Sequence, residues 1–85
     1  MAEAIRTSFM AECFWPGVEP ADVRALDERA LAATAGTGVR YLGSILVPQD
    51  EVVLCEFEGA ADEVQRAAER AAIPFARIVE TRHLT

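Results

Sequence analysis

Apolar and polar positions along this chain follow two periods, and the period switches at glycine or proline. From about Thr7 to Trp15 the residues are mostly apolar or aromatic, and the run stops at Pro16-Gly17. That pattern predicts a strand followed by a turn. From about Pro20 to Ala35, the residues Val23, Leu26, Ala30 and Ala33 recur at helical spacing. Pro20 suits the first helical position, where a missing N–H costs nothing, and Asp22 puts negative charge in the first turn. Gly36-Thr37-Gly38 ends the helix. A second strand is predicted over about Val39 to Val47, a short connection at Pro48-Gln49-Asp50, and a third strand over about Glu51 to Glu58, stopped by Gly59. A second helix runs from about Ala61 to Ala72, with Val64, Ala67, Ala68 and Ala71 inward and Pro74 beyond its end. The last strand covers about Phe75 to Thr81, and the tail Arg82 to Thr85 is expected to fray.

The order βαββαβ, in two halves of nearly equal length, predicts an α+β ferredoxin-like fold. Right-handed crossovers place both helices on one face of an antiparallel four-stranded sheet in the order 4-1-3-2. Residues 1–85 read as a single domain with a modest core.

Side chains alternate across a strand, so each strand divides into two faces. In the first strand Ala11, Cys13 and Trp15 share one face, and Met10, Glu12 and Phe14 share the other. In the third, Val53, Cys55 and Phe57 oppose Leu54, Glu56 and Glu58. The cysteine faces carry no charge and are assigned to the helix side. The open face then holds Met10, Glu12, Phe14, Leu54 and Glu56. Arg40, Leu42, Ser44 and Leu46 are expected to join it from the second strand. The fourth strand would add Ile78 and Glu80, or Val79 in the other register. Large apolar residues around carboxylates mark an interaction surface, and the natural cover in this fold is a second copy. A homodimer is therefore expected.

Composition removes several function classes. The formal net charge of −6 argues against nucleic-acid binding and against an anionic membrane surface. All eight basic residues are arginine, so lysine Schiff-base and pyridoxal-phosphate chemistry are excluded. The arginine and alanine bias, with no asparagine, suggests a GC-rich bacterial genome. No P-loop, GxGxxG, CxxC or HExxH occurs, so no nucleotide cofactor is expected. The first eight residues lack the apolar core of a signal peptide, and no run is long enough to cross a bilayer, which points to the cytoplasm. Cys13 and Cys55 read as reduced core residues.

The candidate chemistry lies with the glutamates inside the apolar runs, because a carboxylate there must be paired, solvated or used. Glu12 and Glu56 fall on adjacent central strands. They can share a proton, bind a divalent cation or act as an acid/base pair. Alternatively, each pairs with an arginine such as Arg40 or Arg77 and fixes strand register. His83 is the single histidine, either a surface residue or a ligand beside a carboxylate. Trp15 and Tyr41 line a pocket between sheet and helices or cap the core. Mid-strand Gly43 suggests a bulge or a close approach.

The stretches Phe9 to Val18, Val52 to Gly59 and Ala71 to Glu80 resemble the small bacterial nickel-binding-protein-like family, which is largely uncharacterised. The likeness rests on a strand glutamate before a Pro-Gly turn, a third strand ending at small residues, and an Ile-Pro entry to the last strand. It implies a dimeric ferredoxin-like fold, with divalent-metal binding, such as nickel, in at least one branch. The family's second helix often carries a histidine. Here that stretch reads Gln65-Arg66-Ala67-Ala68-Glu69-Arg70, leaving His83 as the one imidazole.

The leading reading is a cytoplasmic dimer that binds a ligand or metal on its sheet face, with Glu12, Glu56 and His83 as candidate metal ligands. Met10, Phe14, Trp15, Arg40, Tyr41 and Leu54 are the candidate pocket or interface residues. One alternative is a small cofactor-free isomerase or monooxygenase with Glu12 or Glu56 as base, which requires a cavity. Another is a structural or interaction module without chemistry.

Overall fold

A computed structural model describes residues 5–84. Strand β1 (Ile5–Phe14) leads to helix α1 (Pro20–Thr34), then to β2 (Arg40–Val47), a single 3-10 turn (Pro48–Asp50), β3 (Val52–Glu58), helix α2 (Ala61–Arg70) and β4 (Arg77–Leu84). The sheet order is β2-β3-β1-β4 and every pairing is antiparallel. This is the ferredoxin-like arrangement expected from the sequence, with β1 and β3 in the centre.

The core forms where the uncharged strand faces meet the alanine-rich helix stripes. Ala11, Cys13, Val53, Cys55 and Phe57 of the central strands are fully buried against Leu26 and Ala30 of α1 and Val64, Ala67 and Ala68 of α2. Alanine on the helices lets them approach the sheet closely, so the larger strand side chains fill the layer. Trp15 and Tyr41 pack against this core from its rim, which is the capping role and not a pocket wall. No cavity is found among the described residues.

Local chemistry explains the helix ends. At the start of α1 the Asp22 carboxylate accepts the Glu19 N–H at 2.9 Å, satisfying one donor of the first turn. Helix α2 ends three residues short of Ile73, with Ala72 in the left-handed region at φ 56°. Arg29 of α1 donates from Nε to the Ala71 carbonyl at 2.8 Å, tying the end of α2 to its neighbour. Glu51, at φ 54°, closes the turn between β2 and β3. Its carbonyl accepts the Trp15 N–H at 2.7 Å, and its carboxylate accepts the Gly17 N–H at 2.8 Å.

In the edge strands the face expected for the later part of β2 is overturned, and β4 takes the second of the two registers considered. In β2, Tyr41 pairs with Phe57 but Gly43 pairs with Glu56, so Leu42 is an extra residue in a β-bulge. The bulge reverses the alternation beyond it. Leu46 therefore packs on the helix side, Ser44 bonds to α1, and Ile45 takes the open face with 53% of its surface exposed. In β4 the register pairs Met10 with Val79, so Val79 lies on the open face, Ile78 packs against the core, and Glu80 shares the side of Ile78. Strand β4 also runs on to Leu84. Arg82, His83 and Leu84 pair with Thr7, Arg6 and Ile5, so the expected fraying of these three residues does not occur. Thr85 lies outside the described residues.

Candidate functional site

The open face of the sheet is where the charged side chains converge. Ser8 of β1 sits opposite Thr81 of β4, and Arg6 opposite His83, so one edge of β1 carries a column of polar residues. On its other edge Met10 pairs with Glu56 of β3, which places the Glu56 carboxylate diagonally beside Ser8. Ser8 is fully buried in the middle of this group.

Its hydroxyl donates to Glu56 Oε2 at 2.7 Å. Thr81 Oγ1 lies 2.7 Å from Ser8 Oγ and 3.1 Å from the Ser8 carbonyl oxygen. Because the Ser8 proton is committed to the carboxylate, Thr81 shares its one proton between the Ser8 hydroxyl and carbonyl oxygens. His83 Nε2 approaches Glu56 Oε2 to 2.6 Å and Ser8 Oγ to 3.3 Å. A carboxylate only accepts, so Nε2 carries the proton facing Glu56. The result is one carboxylate oxygen held between a hydroxyl and an imidazole. The Ser8 hydrogen bond, followed by the hydrogen bond and charge of His83, keeps the Glu56 carboxyl below its ordinary range against the opposing effect of burial.

Glu12 takes no part. It faces Leu54 across β1 and β3, not Glu56, and its partner is Arg77 of β4, with Nε donating to Oε1 at 2.6 Å. The two central glutamates therefore do not form a carboxylate pair, and the expected ligand set of Glu12, Glu56 and His83 splits into two separate ion pairs. Arg40 does not reach either glutamate. With Arg6 it brackets Glu58, each at 3.2 Å. Among the described residues, no three histidine, cysteine or acidic side chains converge as a metal cage.

Met10, Phe14 and Leu54 lie on the open face, as expected, and Phe14 is 64% exposed. Ser8 and Thr81 were missed by sequence reading. Their signal was available: Ser8 stands two positions from Met10 on the same face, but β4 had to be extended before Thr81 and His83 could be set beside it.

On the helix side, Asp27 of α1 accepts hydrogen bonds from the Tyr41 hydroxyl and, at 2.8 Å, from Ser44 Oγ. Burial, then the Asp27 hydrogen bond, pushes the Tyr41 phenol well above its usual value. The bulge creates this contact by turning Ser44 toward α1.

Comparison with known proteins places the chain among relatives of the same topology. The profile described as nickel responsive protein SCO4226-like matches residues 9–81, which is most of the sequence. The chain belongs to this nickel-responsive SCO4226-like family. The crystal structure of SCO4226 from Streptomyces coelicolor A3(2) superposes with a TM-score of 0.74 at 25% identity, covering 87% of this chain and 94% of that one. No curated protein matches the sequence. The family match runs from the middle of β1 to the middle of β4, including Glu12, Glu56 and Thr81, but it begins after Ser8 and ends before His83.

Proposed function

We propose that this protein binds a divalent metal ion, nickel foremost, at Glu56 and His83 on the open sheet face, and that it works as a homodimer in the bacterial cytoplasm. The observation that carries the metal reading is the 2.6 Å approach of His83 Nε2 to Glu56 Oε2, beside a buried serine. Imidazole nitrogen and carboxylate oxygen both suit nickel, and the Ser8 and Thr81 hydroxyls orient the carboxylate as outer partners do in metal sites. The family's description as nickel responsive supports the same reading. The donor set fits in part: one copy supplies two ligands, so water or a second copy must supply the rest. Binding would displace the proton between the two side chains, so affinity should rise with pH.

The dimer reading rests on charge as well as exposed apolar area. The open face carries Arg6, Arg40 and Arg77 against Glu12, Glu56 and Glu58, and each of these six is ion-paired there. The whole chain nevertheless has a net charge of −6, so the excess lies away from this face. Two such chains repel through their helices and approach at least cost through the sheet.

The same ion pairs favour a second reading, a structural module whose carboxylates serve only to set strand register. Titration of nickel into the protein by calorimetry separates the two. The metal reading expects saturable heat that is lost or weakened at least about tenfold in His83→Ala and in Glu56→Gln. Absence of heat, or heat unchanged in both variants, would leave the structural reading standing. The cofactor-free enzyme has no observation in its favour, since it needs a cavity and none is found among the described residues.

A further inference from the structure

Strand β4 closes one side of the sheet, and no described strand pairs with its outer edge. The outward N–H and C=O groups of that edge are a template for another strand. Along β4, Ile78, Glu80, Arg82 and Leu84 share the helix side, and Val79, Thr81 and His83 share the open face. Glu80 and Arg82 pair within the chain at 2.9 Å, so the two charges sit side by side and exposed at the edge.

We propose that β4 pairs antiparallel with β4 of a second copy, about a two-fold axis at Thr81, so that one continuous sheet runs through both chains. The strand is its own complement in that register. Glu80 stands opposite the partner's Arg82, and Arg82 stands opposite the partner's Glu80. Leu84, the most exposed of the described large apolar residues at 77%, stands opposite the partner's Ile78. Main-chain hydrogen bonds hold the two edges together, and the cross-strand charge and apolar pairs add to them.

The same charges reject the neighbouring registers. Outward backbone groups recur at every second residue, so the axis of two identical antiparallel edges falls on a residue. An axis at Glu80 sets two carboxylates opposite each other, and an axis at Arg82 sets two guanidinium groups opposite each other. Like charges directly opposite destabilise a strand pair, so both registers are disfavoured. Registers further out lose both ion pairs.

A contact one strand wide is small and belongs to the weak class of interfaces. It therefore forms above the concentrations at which the open face joins two copies. It leaves that face free and does not rest on the metal reading. Two different two-fold contacts on one chain build assemblies larger than a dimer.

The test is sedimentation equilibrium from micromolar to millimolar protein, with amide spectra by nuclear magnetic resonance at the same concentrations. The mean mass of the wild type should rise to about twice its micromolar value or beyond, with concentration-dependent shifts along residues 77–84. Glu80→Arg and Arg82→Glu should each hold the mass at its micromolar value, because each sets like charges opposite at two positions. The two reversals combined should restore the rise. Each single reversal changes the net charge in the opposite direction from the other, so a general charge effect does not weaken both. The spectra check folding; if a single reversal is unfolded, Arg82→Gln, which deletes both ion pairs, takes its place and should weaken the rise. A wild type that keeps its micromolar mass throughout leaves the edge to some other strand and overturns the proposal. So does a rise that survives both single reversals, a rise that the double reversal fails to restore, or shifts centred on Ile45 and Phe14 instead of β4. Failure of the open-face dimer would appear separately, as a monomer mass at micromolar concentration.

Discussion

Glu56 shows how neighbours determine what a carboxylate does on a half-buried strand face. Its folded pKa is lowered chiefly by the Ser8 hydroxyl. A depressed carboxylate contributes stability that is fully present above its unfolded pKa of about 4.3 and is lost as pH falls through the folded value. Denaturant midpoints measured between neutral and strongly acid pH should therefore fall less steeply for Glu56→Gln than for the wild type. Equal slopes would mean that the Ser8–Glu56 bond adds nothing in solution. Gly43 is the second telling residue. Its φ of 127° lies where side chains are strained, although an added Cβ would meet nothing within 4 Å. Gly43→Ala should therefore cost stability through the backbone alone, about 1 kcal/mol or more, measurable by chemical denaturation. If the variant is as stable as the wild type, the bulge does not depend on this conformation.

At the scale of elements, the fold was legible because each segment states its type locally. Pro20 and Asp22 open α1, the alanine stripes mark both helices, and the uncharged faces of β1 and β3 identify the core side. The central strands were therefore placed correctly on both faces. The edge strands were less legible, for two physical reasons. A bulge inserts one residue and inverts everything after it, and Gly43 signals such an insertion without saying how the face changes. Strand β4 ends in Arg82-His83-Leu84, which looks like a polar tail on its own. It is ordered by what β1 presents to it: pairing with Ile5 to Thr7 and the hydroxyl of a buried serine. That information is non-local, and the candidate site depends on it. The pairing of Glu12 with Arg77, by contrast, was among the alternatives the sequence raised.

For the whole molecule, the two sheet faces divide the work. One is closed by helices, carries no charge on its two central strands and holds the two free cysteines; the other is charge-neutral, partly apolar and open. No helix among the described residues is long and apolar enough to cross a membrane. If the open face joins two copies, a charge placed on its exposed apolar part, at Ile45 of β2, should separate them. Sedimentation at micromolar concentration should give a dimer mass for the wild type and a monomer mass for Ile45→Glu, with folding retained. A wild-type monomer would remove the dimer.

Nuclear magnetic resonance locates metal binding at Glu56 and His83 most directly. Nickel titrated into isotope-labelled protein should shift or broaden the amide signals of Ser8, Glu56, Thr81 and His83 first, with Glu12 and Arg77 little affected. Perturbation centred on the acidic helix surfaces or on Glu12, or none at all, would mean that Glu56 and His83 do not hold the metal.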